Sequence, residues 1–524
     1  MSIFSEARVW KVTAGPGCGK SHFITQTIQS LLAEGVKPTE IAYILFNRKP
    51  AVAFREQFNL AQDDMIWWST HHSFCRRLLG LKVSNILNTH TWGKIHGFDL
   101  SSEESIKHEG IAEYGWDAVF SALQKKIYED RTDFTREELR LLNAMKDTEV
   151  KEGKYAHIRY LQKALKMDMF PVSVKYLFVD EAQDNGKLQL DWVQRIIDTR
   201  PQVQGILLAG DDKQAINGFK GGNAELFLDF PCDKEINLRT TYRLPSKILR
   251  EANRVISPVK KRSELTSESA SQVNGQVIYT SSFEDAIPDI IQGVKEKKSI
   301  LVLLRNRCFE KNVAHSLMES DVLLQSDWNE QLKKTLAALW QIRSTGLITE
   351  DTLSVILPSS ERSYGQIKPE FYWDVQKAKS LRSGDFWTDR VMFDAYELMR
   401  IGNGLPIERA EEIGMKKNFL QDIMLWSLNT DAIHLPATSL YNFKRTVKRF
   451  GWDFVTVRVD TIHSVKGEEA DMVVLVGNIT EKTRVSEEDD EDAERRVWFV
   501  GLTRAREKLI ITQLPQYDKF TCIL

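Results

Sequence analysis

Ala14-Gly15-Pro16-Gly17-Cys18-Gly19-Lys20-Ser21 follows the short apolar run Val9–Thr13 and opens a helical pattern. Far downstream, Val179-Asp180-Glu181-Ala182-Gln183-Asp184 closes a second apolar run. The first stretch has the form of a phosphate-binding loop. Its backbone N–H groups and the helix start behind them suit phosphate oxygens, Lys20 suits the outer phosphates, and the Ser21 hydroxyl suits magnesium. The second stretch supplies what the first lacks. Asp180 suits the same metal ion, and Glu181 beside it is placed to activate water. A glycine-rich turn alone recurs by chance; one paired with a later strand-end acidic couple reads as a nucleoside triphosphate site.

The helical pattern after the loop runs from Ser21 to Ala33, with Ile24, Ile28, Leu31 and Leu32 on one stripe and Gly35 as the stop. Further β-rich runs occur at Ile41–Phe46, Tyr176–Val179, Gly205–Ala209, Val277–Thr280, Ser299–Leu304, Met472–Val476 and Leu509–Thr512. Several are continuously apolar, as parallel strands covered on both faces require. Two stretches break this rhythm. Leu79–Val174 reads as helical, for example Arg136–Lys146. Ser316–Gly451 also reads as mainly helical, with a capping-box pattern at Asp327 and Glu330. The acidic run Ser486–Asp492 reads as a solvated loop.

At 524 residues the chain exceeds one core. Its net charge of −2 gives no global basic field, so any nucleic-acid groove must be a local patch. Five scattered cysteines without a C-x-x-C pair argue for reduced thiols and against zinc. No apolar run approaches the ~20 residues of a membrane span, and the phosphate loop arrives too early for a secretory leader. A cytoplasmic setting, in a bacterial or phage-infected cell, is the expectation.

The order of further motifs resembles superfamily 1 helicases of the UvrD/PcrA/Rep group from about residue 14 to residue 508. The resemblance implies an α/β fold: two RecA-like parallel-sheet cores with the phosphate-loop architecture, each carrying a mainly helical insertion. It places the first core at 1–78 and 175–231, its insertion at 79–174, the second core at 232–315 and 452–524, and its insertion at 316–451. It implies ATP and Mg2+ as ligands. Ala14, Gly15, Pro16, Gly17, Cys18, Gly19, Lys20 and Ser21 would bind the nucleotide, with Ser21 and Asp180 on the metal and Glu181 as catalytic base. Gln214, in Ala209–Gln214, resembles a γ-phosphate sensor. In Thr241-Tyr242-Arg243, Tyr242 resembles the base-stacking ring and Arg243 a γ-phosphate contact. Arg504, in Val500–Arg506, resembles an arginine finger, and Glu469, in Thr461–Glu469, a contact to the nucleotide sugar. Arginines suit a phosphoryl transition state because its negative charge spreads over equatorial oxygens.

The same resemblance assigns single-strand contacts to Phe46 in Phe46-Asn47-Arg48-Lys49, to Thr70 and His72 in Thr70-His71-His72-Ser73, to Phe219 and Lys220 in Ile216–Gly221, and to Thr461 and His463. Aromatic platforms with backbone donors are what a sequence-tolerant track needs. The implied activity is an ATP-dependent DNA helicase or translocase moving 3′ to 5′ by alternating closure of the two cores. Its partners would be single-stranded DNA, single-/double-strand junctions and a protein loading factor, with no membrane. Two departures stand out: residues 1–13 hold no glutamine to read adenine, and Asn217 stands where a stacking tyrosine is usual. They keep open a non-unwinding, ATP-gated single-strand clamp; an RNA-directed relative is a further alternative. Blander readings also stand at this level: Arg243 and Arg504 as surface ion-pair residues, Asp184 as a solvated turn, Phe46 and Phe219 as core aromatics, His71, His72 and His463 as structural histidines, and Lys444–Phe450 as an amphipathic helix.

Overall fold

A computed structural model describes residues 2–45, 58, 62–100, 115–167, 169–325, 338, 341–349, 352, 405–409, 445–446, 449–450, 455–481, 483–485 and 490–515. The chain divides into two compact units. One comprises Met1–Ala286, Leu301–Glu310 and Asp460–Leu524, and the other Ile287–Ile300 and Lys311–Val459.

The first unit holds a six-stranded sheet built from β1 (Val9–Ala14), β2 (Ile41–Leu45), β3 (Trp68–Thr70), β4 (Tyr176–Val179), β5 (Gly205–Gly210) and β6 (Lys234–Leu238), in the order β3-β2-β4-β5-β1-β6. Every pairing is parallel. The apolar runs explain this directly. A strand covered on both faces must present hydrophobic side chains up and down. On β2, Ile41, Tyr43 and Leu45 enter one core with Ile24, Ile28 and Leu31 of the helix Lys20–Ala33. Ala42 and Ile44 enter the opposite core, with Phe74 and the buried residues of the helices Gly115–Tyr128, Arg136–Glu152 and His157–Lys166. The helical stretch after residue 79 therefore shares one core with the sheet.

A second sheet follows the order β13-β10-β14-β15-β9, from β9 (Gln276–Tyr279), β10 (Ile300–Leu304), β13 (Val457–Thr461), β14 (Ala470–Val476) and β15 (Ala505–Thr512). β14, β15 and β9 run parallel. Helices Ser246–Ile256 and Glu491–Leu502 cover one face through Ile248, Leu249, Trp498 and Phe499. Between the sheets, β7 (Thr240–Thr241) pairs in parallel with β8 (Glu268–Ser269). In the second unit, β11 (Leu347–Ile348) pairs antiparallel with β12 (Leu405–Pro406). There Asp321 pairs with Arg445 at 2.5 Å and Arg449 at 3.3 Å. The capping pattern at Asp327 and Glu330 lies outside the described residues.

Two expectations are corrected. Residues 234–238 follow the expected end of the first core at 231, yet β6 is an edge strand of the first sheet, registered along β1 from Trp10 to Ala14. The acidic run is not all loop: Glu491 and Asp492 open the helix Glu491–Leu502, and Asp490 accepts the Ala493 N–H at 2.9 Å. Carboxylates in a first helical turn offset the partial positive charge of the free N–H groups. Residues 486–489 lie outside the described set.

Candidate nucleotide site and strand-contact residues

The carboxyl ends of β1, β4 and β5 converge on the phosphate loop. Ala14 ends β1, and the loop turns through Gly15–Gly19 into the helix that starts at Lys20. Gly17 and Gly19 hold φ of +71° and +82°, a region that side chains disfavour. Around Gly19 an added Cβ would meet nothing within 4 Å, so the helix start faces open space. That is the geometry in which free amides receive an anion. Gly17 is hemmed in: a Cβ there would fall 2.6 Å from Arg243 Cβ and 2.8 Å from Thr241 Oγ1. Tyr242 donates its N–H to Gly17 O at 3.2 Å, and its ring is 71% exposed beside the loop. Cys18 is buried, with Sγ 3.6 Å from Ser267 Oγ.

Lys20 Nζ lies 3.3 Å from Asp180 Oδ1 and pairs with Glu181. Burial alone would lower the Lys20 pKa; the Asp180 and Glu181 carboxylates outweigh it and hold the ammonium above its ordinary value. Burial likewise opposes ionisation of Glu181, but Lys20 and Lys466 bring its carboxyl down to about 2. Tyr43 Oη donates to Asp180 Oδ2 at 3.1 Å and fixes that carboxylate. Glu181 is held at φ 52°, an uncommon conformation for a residue with a side chain, and its N–H donates to Asp180 Oδ1 at 2.9 Å. The Ser21 hydroxyl and the Asp180 carboxylate are the hard oxygen donors that magnesium takes.

From Glu181 a chain of hydrogen bonds runs inward. Gln183 Nε2 donates to Glu181 Oε2 at 2.5 Å, and Gln183 Oε1 accepts the Asp211 N–H at 3.0 Å. Gln214 Nε2 donates to Asp211 Oδ2 at 2.6 Å, and Arg504 Nη2 donates to Gln214 Oε1 at 2.7 Å. Burial, then the neighbouring Asp212, pushes Asp211 up to about 6. Arg504 is 1% exposed, so it is no surface ion-pair residue. Its Nε donates to Val500 O at 2.9 Å, and burial, then the charge of Arg243, brings its guanidinium down to about 9. Arg243 Nη1 donates to Glu469 Oε2 at 2.9 Å, and Glu469 also pairs with Arg506. Arg243 Nε is buried with no hydrogen-bond partner. This unmet donor, on a side chain packed over Gly17, fits an anionic group at the loop.

Asp184 is buried rather than solvated, and Lys466 reaches it while donating to Gln214 O at 2.6 Å. Lys466, Gln183 and Asp211 were not singled out from the sequence; their only signal is membership of the motifs around Glu469, Asp180 and Gln214.

Of the strand-contact residues, Phe46 lies outside the described set. Phe219 meets His463 edge-on with ring centroids 5.7 Å apart, and Lys220 Nζ stands 5.2 Å from the Phe219 centroid. Burial, then the charges of Arg305, Lys220 and Lys466, brings His463 down to about 3. Thr461 Oγ1 bonds Ser464 Oγ at 2.8 Å in the same turn. Thr70 and His72 form another grouping. Thr70 caps the helix His71–Leu78 by accepting the Ser73 N–H at 3.4 Å, and His72 packs against His157, Tyr160 and Tyr128 of the helical stretch. Asn217, in the position of an expected platform, is buried. Among the described residues no helix is long and apolar enough to cross a membrane, and no group of three or more His, Cys, Asp or Glu is placed to hold a metal ion.

Residues 2–220 match the family described as an AAA domain, and residues 416–516 match the UvrD-like helicase C-terminal domain. The DNA helicase II of Haemophilus influenzae is 27% identical over 281 residues, covering 47% of this chain and 38% of that protein. The ATP-dependent DNA helicase PcrA of Staphylococcus aureus is 25% identical over 281 residues, 48% of this chain and 38% of that protein. YjcD of Bacillus subtilis, by its name a candidate ATP-dependent DNA helicase, is 22% identical over 596 residues, 96% of this chain and 76% of that protein. The matched stretch thus spans 38% of the length of each of the first two relatives. With the phosphate loop, the acidic pair and both arginines gathered in one unit, and with both family matches in the expected order, the chain resembles the UvrD/PcrA-like superfamily 1 helicases over both matched regions.

Proposed function

We propose that this protein is an ATP-dependent DNA helicase or translocase. It binds single-stranded DNA across the two sheets and moves 3′ to 5′. The observation that carries the reading is the continuous hydrogen-bond chain from Glu181 through Gln183, Asp211 and Gln214 to Arg504. A water-activating carboxylate and a charge-stabilising arginine on different sheets are thereby wired into one arrangement.

In this reading the loop amides and Lys20 hold the phosphates of ATP. Ser21 and Asp180 hold Mg2+, which screens the phosphate charge when bound. Glu181, ionised across the neutral range, accepts the proton of the attacking water. Arg243 and Arg504 meet the charge spreading over the equatorial oxygens, and Gln214 orients Arg504. The exposed Tyr242 ring stacks on the base. Because the phosphate grips the first sheet and the arginines come from the second, nucleotide favours the closed arrangement through differential contact. Phe219, Lys220, Thr461 and His463 grip the strand, with Thr70 and His72 further along it; Phe46 is a further proposed contact. The core and insertion boundaries given above, with the first core extended through β6 to residue 238, a protein loading factor and a cytoplasmic location belong to the same proposal. The 3′ to 5′ direction rests on the form of the motifs around Tyr242, His463 and Arg504.

The burial of Asn217, which removes one base platform, favours a second reading as a non-unwinding clamp. One set of measurements separates the two. Hydrolysis of ATP is measured with and without single-stranded DNA or RNA, followed by displacement of duplexes carrying a 3′ or a 5′ tail. Stimulation by DNA and displacement from 3′ tails alone is the expected result. Hydrolysis without displacement selects the clamp. Hydrolysis retained in Glu181→Gln would overturn the assignment of the base.

A further inference from the structure

We propose that the free edge of β9 receives an extended, acidic segment of a partner protein as an added strand. β9 is the outermost strand of its sheet: it pairs with β15 on one side, and among the described residues no strand pairs on the other. An edge strand presents a row of N–H and C=O groups to a second chain. Here that edge lines a groove of about 400 Å³, whose walls are Gln276–Tyr279 on one side and Lys247, Arg250 and Glu251 of the helix Ser246–Ile256 on the other.

The walls are fixed at both ends. At one end Gly275 is pressed against Pro245, where an added Cβ would lie 2.3 Å from Pro245 Cβ. At the other, Tyr279 hydrogen-bonds Glu251, whose carboxylate also pairs with Arg254 at 2.6 Å. Glu251 is therefore neutralised within the wall. Lys247 and Arg250 are exposed and have no carboxylate partner among the described residues. The groove thus offers two uncompensated cations beside unpaired backbone. The two lie three residues apart on one helix face, about 4.5 Å along the axis, and their long side chains can splay to the spacing of about 7 Å between alternate side chains of a strand. Two carboxylates at positions i and i+2 of an added strand would face them. The backbone row selects a polypeptide over a nucleic acid, whose phosphates would use the cations and leave the strand edge unmatched.

The test uses the full chain and a fluorescein-labelled octapeptide alternating valine and glutamate, with an alternating valine–lysine peptide as control. Anisotropy is expected to give a Kd below about 100 µM for the acidic peptide. Lys247→Glu with Arg250→Glu should weaken it by about tenfold or more, while ATP hydrolysis is unchanged. Hydrogen exchange at residues 276–279 should slow when the acidic peptide is added. A Kd above that limit, equal binding of the basic peptide, indifference to the charge reversal, or unchanged exchange at 276–279 would each overturn the proposal. Competition by a single-stranded oligonucleotide would assign the cations to nucleic acid and overturn it as well.

Discussion

Two side chains carry the tightest constraints at the residue scale. Lys466 neutralises Asp184, which is 4% exposed. Removing one member of a buried pair leaves the other uncompensated, at a cost of about 3 kcal/mol. Lys466→Ala is expected to lower the unfolding free energy read from the first urea transition by that amount, and Asp184→Asn in the same chain to restore most of it. Additive losses would show that the pair is not coupled. His463 sets a pH dependence. Its folded pKa of about 3 lies below the ordinary 6.5, so the fold favours the neutral ring. That contribution is complete above 6.5 and is lost as pH falls toward 3. Thermal stability should decline as pH is taken from about 7 to about 5, and His463→Gln should flatten part of the slope. His71, brought down to about 4 by burial, leaves a remainder of the same sign. The sequence made Lys20, Asp180, Glu181, Arg243 and Arg504 legible because their neighbours in the chain are diagnostic. Gln183 and Asp211 were not, because their bond joins positions 28 apart, and the Arg504–Gln214 bond spans 290 positions. No local pattern encodes such a pairing.

Elements were legible where burial is two-sided. β2, β4 and β5 are wholly buried and read as apolar runs. β3, β6 and β13 were missed for a common physical reason. β3 has three residues at one sheet edge, β6 at the other edge is half exposed with Lys234, Glu235 and Asn237, and β13 alternates Val with Arg and Asp. An edge or one-sided strand needs no continuous apolar run. The helix expected over Arg136–Lys146 extends to Glu152 and begins with a reciprocal cap: Glu138 N–H to Thr135 Oγ1 at 3.2 Å, and Thr135 N–H to Glu138 Oε2 at 2.7 Å. Thr135→Ala should cost about 1 kcal/mol. The amides of the first turn would then exchange roughly fivefold faster, with the rest of the helix little changed. A uniform acceleration would mean that the cap acts on the whole unit.

For the whole molecule, the nucleotide residues from both sheets lie in one compact unit, Met1–Ala286 with Leu301–Glu310 and Asp460–Leu524. A ligand that binds only the folded arrangement raises stability by mass action, about 2.7 kcal/mol at one hundred times its Kd. A non-hydrolysable ATP analogue with Mg2+ should raise the denaturation midpoint correspondingly. Lys20→Ala should abolish the increase, and chelating the metal should reduce it. An analogue that leaves the midpoint unmoved would place the nucleotide elsewhere. One contact also limits how this sequence can drift. At residue 17 the space a β-carbon needs is already taken by Thr241 and Arg243, so the two halves of the site jointly veto every replacement. A saturation library selected for function should come back monochrome at that codon, however permissive the surrounding loop proves.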